Sequence, residues 1–346
     1  MNSRKVIFIG PIGGGGVPKN GASAKNYHLI NFLKKKDIKI ITIDTEDWKT
    51  NPFILVRLAL LILFNHSAKY ILAANNESSY RIIKLLSILP IKRHIIYWVI
   101  GGSMADWIKN KKVQKGPFQI VDFFLVEGKL MQNTLESVGF TNALYVPNFK
   151  CIDYIPTRAQ KHNALTRFVF LSRIIPEKGC KIIIDATKIL NKSYRDKFIV
   201  DFYGPIDADY ELEFNQSILG VTNISYKGFI DLRNQRNYDL FAEYDAMLFP
   251  TYWHGEGFPG IIIDAFICGL PVIASNWSLN AEIIHDGRTG IILKENSASA
   301  LATAMSILIG NSELLQKMSK ECSSSALAYD IERVVSDELL KTIGIC

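Results

Sequence analysis

At 346 residues the chain exceeds what one ordinary core fills and suits two domains of about 150 residues each. Its 48% hydrophobic and 21% charged residues exclude a disordered chain. The formal charge of +7 is unevenly spread: residues 1–160 hold 22 Lys+Arg against 10 Asp+Glu and residues 161–346 hold 18 against 23, so the front carries +12 and the back −5.

In chain order, Arg4 and Lys5 lead into the apolar run Val6 to Ile9, which Gly10-Pro11 cuts off. That run is too short for a signal-peptide core and reads as a first strand over 5–9. The loop behind it carries Gly13, Gly14, Gly15 and Gly16. Four glycines remove every Cβ from a strand-to-helix turn, so the backbone can approach a phosphate or sugar closely. Asp44, closing the second strand, imitates the acid of a dinucleotide fingerprint, but Pro18 and Lys19 spoil the G-x-G-x-x-G spacing and disfavour an NAD reading. A helix is expected from about Ala22 to Lys35, ending in lysines 34–36. Strands are expected over 39–43, 70–73, 94–99, 123–126 and 143–146.

Phe53 to Phe64 is apolar except for Arg57. It is shorter than the roughly 20 residues of a membrane span and is expected as a buried or interfacial helix. The segment 147–166 loses periodicity around Pro156 and reads as a linker. The divisions are therefore an N-terminal domain over 1–160, a C-terminal domain over 161–330 and a terminal helix over 331–346. In the second domain, strands are expected over 167–172, 198–203, 224–226, 246–249, 271–274 and near 289–293, and helices over 180–191, 237–244, 259–268, 297–309 and 312–327. Alternating strands and helices define an α/β protein of two Rossmann-like, doubly wound domains, which would face a cleft and place ligands at the carboxyl ends of their strands.

The chemistry concentrates in the second domain. Arg173 ends its first strand and Lys178-Gly179 opens the next helix, so two cations can converge beside a helix N-terminus, an arrangement suited to a diphosphate. In the run from Trp253 to Pro271, Glu256 precedes Gly257-Phe258-Pro259-Gly260, and Asp264 falls within an apolar helix where a buried carboxylate needs a partner, a ligand among the candidates. Cys151, Cys180, Cys268, Cys322 and Cys346 form no C-x-x-C pair, so they indicate neither a disulfide framework nor a zinc site and fit a reduced compartment. The histidine spacing offers no metal site either.

The S-R-x4-K-G segment, the E-G-F-P-G-x3-D-A-x2-C-G-L-P-V-I-A-S run and Glu282-x4-Gly287-x2-Gly290 together resemble family-four retaining glycosyltransferases of the GT-B fold. The resemblance implies that Arg173 and Lys178 bind the donor diphosphate, Glu256 contacts sugar hydroxyls and Asp264 holds the ribose. The backbone of Gly257, Phe258, Pro259 and Gly260 would cradle sugar and phosphate, with Gly13 to Gly16 closing on the donor. In the family the paired acids are E-x7-E; here the second is Asp264, one methylene shorter. Asp106, near the end of a first-domain strand, is a candidate for acceptor positioning or as a base, and equally reads as a solvated aspartate.

The implied activity is metal-independent, retaining transfer from a nucleoside-diphosphate sugar to a hydroxyl of a lipid-linked or other glycan acceptor, with no cofactor. A nucleotide-sugar epimerase and a non-catalytic partner subunit are the rivals. Nucleic acid is not an expected partner, since the basic half shows no recognised motif. The basic, partly apolar first half suggests a cytoplasmic enzyme lying peripherally on the anionic inner membrane face. Asp207-Ala208-Asp209 mimics a D-x-D metal motif but is expected to be a solvated loop.

Overall fold

A computed structural model describes residues 5–14, 18, 20–46, 48, 51–65, 67–90, 92–101, 103–157 and 165–346. The chain divides into two compact units: residues 1–151 with 330–346, and residues 152–329. The sequence reading placed the division at 160 and set 331–346 apart; the C-terminal residues instead cluster with the first unit.

The first unit runs β1 (Val6–Gly10), α1 (Gly21–Lys35), β2 (Ile40–Asp44), α2 (Pro52–Phe64), β3 (Lys69–Leu72), α3 (Asn76–Ser87), β4 (His94–Trp98), α4 (Met104–Lys109), β5 (Phe123–Val126), α5 (Lys129–Ser137) and β6 (Ala143–Tyr145). Its six strands are parallel in the order β2-β1-β3-β4-β5-β6, with Phe8 opposite Thr42 on one side and Ile71 on the other. Only the first crossover steps back in this order. Right-handed connections therefore put α1 on one face and α2 to α5 on the other.

On the α1 face, Leu29, Ile30 and Leu33 pack with Phe8, Ile71 and Trp98. The C-terminal residues Ile331, Val335, Leu340 and Ile343 complete that cluster. On the opposite face Tyr97 and Phe124 meet Phe118, which stacks on Tyr80 of α3. The expected terminal helix is two short ones, α13 (Ile331–Val334) and α14 (Asp337–Thr342), each with its own cap, Asp330 and Ser336. Asp330 accepts from Glu332 N and Ser336 from Leu339 N, so each short helix starts at its own cap.

The second unit runs β7 (Thr166–Leu171), α6 (Cys180–Tyr194), β8 (Phe198–Tyr203), α7 (Glu211–Ile218), β9 (Ile224–Tyr226), α8 (Tyr238–Phe241), β10 (Ala246–Phe249), α9 (Gly260–Ile267), β11 (Val272–Ser275), α10 (Asn280–Ile283), β12 (Gly290–Leu293), α11 (Ala298–Leu308) and α12 (Ser312–Ala326). All six strands are parallel, in the order β12-β11-β10-β7-β8-β9. Phe168, Phe170, Phe198 and Phe202 alternate with the opposite face and bury completely against α6, α11 and Met318 of α12. Each such phenylalanine contributes about 1.5–3 kcal/mol relative to exposure. All the expected strands are found. The short helices α4, α5, α7 and α10 were not expected, because four to nine residues carry too little periodicity to show.

Candidate functional site

In the second unit, β7 and β10 are neighbours, and the loops leaving their carboxyl ends supply the residues singled out above. After β7 the chain passes Arg173 and a short 3-10 turn, Pro176–Lys178, before α6. Gly179 joins the two at φ 79°, and a Cβ there would lie 2.3 Å from the carbonyl oxygen of Pro250. Only glycine meets both demands, and the close approach brings Lys178 against the loop after β10.

There Lys178 Nζ donates to Glu256 Oε2 at 2.5 Å, with the two side chains 6% and 9% exposed. Thr251 Oγ1 donates to the same oxygen at 3.1 Å. The Lys178 ammonium lies 4.7 Å from the centre of the Trp253 ring, and the Arg173 guanidinium 5.1 Å from it. One indole therefore gathers both cations through its negative face, and the one carboxylate pairs with Lys178, leaving the cluster a net positive charge. Backbone bonds hold the loop: Trp253 O accepts from Glu256 N and from Trp277 Nε1, and Ser278 Oγ donates to Glu256 O.

Arg173 and Lys178 are thus brought together, as the spacing suggested, and Glu256 joins them. Gly257, Phe258 and Pro259 follow directly, and Gly260 opens α9. Asp264 is buried within α9. Its partner comes from the protein: Tyr238 Oη donates to Asp264 Oδ1 at 2.6 Å, both residues being buried. Burial, and then the neighbouring Asp264 carboxylate, push the Tyr238 phenol far above its usual range, so it stays a donor.

Beside Arg173 opens a cavity of about 410 Å³ lined by Arg173, Glu177, Asp207, Asp209, Tyr210 and Trp253, among others. Asp207 and Asp209 are exposed, and Asp207 Oδ1 accepts from Asp209 N, an ordinary turn contact that nonetheless forms part of the cavity wall. Trp253, Thr251 and Tyr238 were not singled out in the sequence. Trp253 was visible within the motif run, but what it does depends on a lysine 75 positions earlier, which spacing does not reveal.

In the first unit, Gly13 and Gly14 lie in the loop after β1, whereas Gly15 and Gly16 fall outside the described residues. Asp44 Oδ1 accepts from Ile12 N and Glu46 N, so the acid that imitated a dinucleotide contact braces this loop. Asp106 is exposed in the first turn of α4. A pair the sequence reading missed lies at the carboxyl ends of β4 and β5: Lys25 of α1 donates to Glu127 at 2.5 Å, both fully enclosed, with the ammonium 5.2 Å from the Trp98 ring. Among the described residues the buried Trp98 Nε1 has no hydrogen-bond partner.

Two parallel-sheet Rossmann-like units, the second holding paired cations and a carboxylate at its strand ends, define a protein of the GT-B glycosyltransferase fold. Residues 157–324 match the family model described as Glycosyl transferases group 1, and the second unit belongs to that family. An uncharacterized 41.2 kDa protein in the cps region of Klebsiella pneumoniae is 28% identical over 138 residues, 40% of this chain; the match spans about a third of that protein, 35%. The capsular polysaccharide biosynthesis glycosyltransferase CapM of Staphylococcus aureus is 24% identical over 332 residues, covering 82% of this chain and 84% of that one. Among solved structures, Anabaena HepE in complex with UDP superposes with a TM-score of 0.72 at 15% identity, over 99% of this chain and 100% of that one.

Proposed function

We propose that the chain transfers a sugar from a nucleoside diphosphate to a hydroxyl of a growing surface glycan, with retention and without a metal. The observation that carries this is the Lys178–Glu256 pair under Trp253 with Arg173 on the same ring. Bond breaking builds positive charge on the sugar ring and negative charge on the departing diphosphate. Arg173 and Lys178, with the N-terminal amides of α6, would stabilise the second, and Glu256 the first. Lys178 would bridge carboxylate and phosphate, so the pair is already oriented before the donor arrives. The leaving phosphate is the proposed acceptor of the hydroxyl proton.

We assign Asp264 to anchoring α8 against α9 rather than to the ribose, because Tyr238 already bonds it in a buried position. The capsular polysaccharide biosynthesis named for the relative CapM favours a glycan acceptor, and a lipid carrier is the form in which we expect it. Titration calorimetry with UDP and GDP tests the donor site: wild type binds one of them, Arg173→Ala weakens it at least tenfold, and EDTA leaves transfer intact. Loss of activity with EDTA, restored by Mn²⁺, would reject the metal-free scheme.

A further inference from the structure

The helix α2 inverts the usual amphipathic rule. Of its 13 residues only Leu58 and Ile62 are buried. Phe53 and Phe64 are 79% and 76% exposed, and Leu55, Val56, Leu60 and Leu63 also face solvent. A helix of a water-soluble surface points its charged residues outward; here the outward side is apolar with Arg57 as its one charge.

The helix is nevertheless fixed in place. Asn51 caps it at Phe53 N, Tyr70 Oη donates to the Leu61 carbonyl, and the buried Arg93 donates to that of Ile62 at its C-terminal end. The exposed apolar side is therefore a built feature of the unit's surface. Among the described residues no single helix is long and apolar enough to cross a membrane, and α2, about 20 Å long, is the right length to lie along one.

The neighbourhood says what it would lie on. α3 shares the sheet face with α2, because both crossovers advance the same way along the strand order. Its outer side shows Leu85 and Ile88 with Arg81 and Lys84, and Lys92 is exposed beside the Arg93 that holds α2. From 51 to 93 there are six Lys or Arg and one acid, Glu77, which pairs with Arg81. Apolar side chains beside the exposed Arg57, Arg81, Lys84 and Lys92 match the interface of an anionic bilayer, acyl chains below and phosphates at headgroup level. A second copy of this chain would bring the same cations against themselves, which argues against self-association.

We infer that α2, with the outer side of α3, is a docking surface that seats the first unit in the interface of an anionic membrane. The inference is independent of the transfer reaction, since it needs no donor and no acceptor. The test is flotation of the full chain with vesicles of phosphatidylglycerol and phosphatidylcholine, against phosphatidylcholine alone. Binding is expected to the anionic vesicles at low salt, with release near molar salt. The doubly substituted F53S/F64S chain and the doubly substituted R81E/K84E chain should each bind at least about tenfold more weakly. All four side chains are exposed, so circular dichroism melting should match wild type, and UDP or GDP binding should be unchanged.

Wild type that ignores anionic vesicles, or binding indifferent to Phe53 and Phe64, would overturn the inference. So would a dimer, seen by sedimentation, that F53S/F64S dissolves while vesicles remain unbound. Failure of nucleotide binding in the same preparation would instead count against the donor site alone.

Discussion

Each unit buries one lysine–glutamate pair at the carboxyl ends of its sheet and rests the lysine against a tryptophan: Lys25–Glu127 with Trp98, and Lys178–Glu256 with Trp253. The pairs differ in what surrounds them. In the second unit Arg173 shares the tryptophan and a cavity opens beside it. In the first, Phe149 covers the ammonium, no second cation is present at the ring among the described residues, and the pair is neutral. The first half of the chain has the larger positive charge, +12, yet its buried pair offers no excess charge to an anion. Most of its described cations stand on the surface, Arg57, Arg81, Lys84 and Lys92 among them around α2 and α3. Local arrangement, not domain charge, decides where a diphosphate can be held.

The comparison breaks most visibly on turnover. Glu256→Gln should lower kcat about 10²-fold, since it removes a charge aimed at the reacting sugar. The same change at Glu127 should lower it less than about tenfold. Both should be assayed well below their melting temperatures, because each leaves a buried ammonium without its counter-charge. Equal losses in steady-state kinetics would mean that both pairs act on the reaction.

Stability sharpens it next. Removing either lysine takes a counter-charge from a buried carboxylate, and Lys25→Met and Lys178→Met should each cost about 3–5 kcal/mol in urea unfolding. Ligand then separates them. A nucleoside diphosphate at about 100 times its Kd stabilises a binding-competent chain by about 2.7 kcal/mol. That gain should persist in Lys25→Met and vanish in Lys178→Met.

The smallest effect concerns the clip that ties the C-terminal segment to α1. Lys36 donates to Asp337, and this hydrogen bond holds the Asp337 carboxyl below its ordinary range. A depressed carboxyl contributes above its unfolded pKa and stops contributing as pH falls through its folded one. Asp337→Asn should therefore lower the melting temperature slightly at neutral pH, with the difference closing at acid pH. A difference that grows on acidification would contradict the assignment. The clip is exposed, and salt should erase it.

Much of this was legible in the sequence because it is local. Short continuous apolar runs such as Phe168 to Leu171 determined the strands, and their alternation with helices determined two doubly wound sheets. Arg173, Lys178 and Glu256 were found because each stands at a fixed offset from glycines and prolines that punctuate strand ends. The tertiary structure decided what depends on residues far apart in the chain. Lys25 and Glu127 are 102 positions apart, and a lysine in the early turns of a helix reads as solvated until its partner is seen. Asp264 signalled a buried carboxylate, but only packing showed that Tyr238, 26 positions away, answers it. The apolar run 53–64 declared a helix without declaring its environment, because a helix apolar all round looks the same in a core as against a membrane. Likewise the last stretch read as one terminal helix, and its restart at Ser336 and its return to the first sheet follow only from the packing of Ile331, Leu340 and Ile343 with α1. Local spacing fixes which elements form; which side chains they bring together is set by burial, which acts without regard to sequence distance.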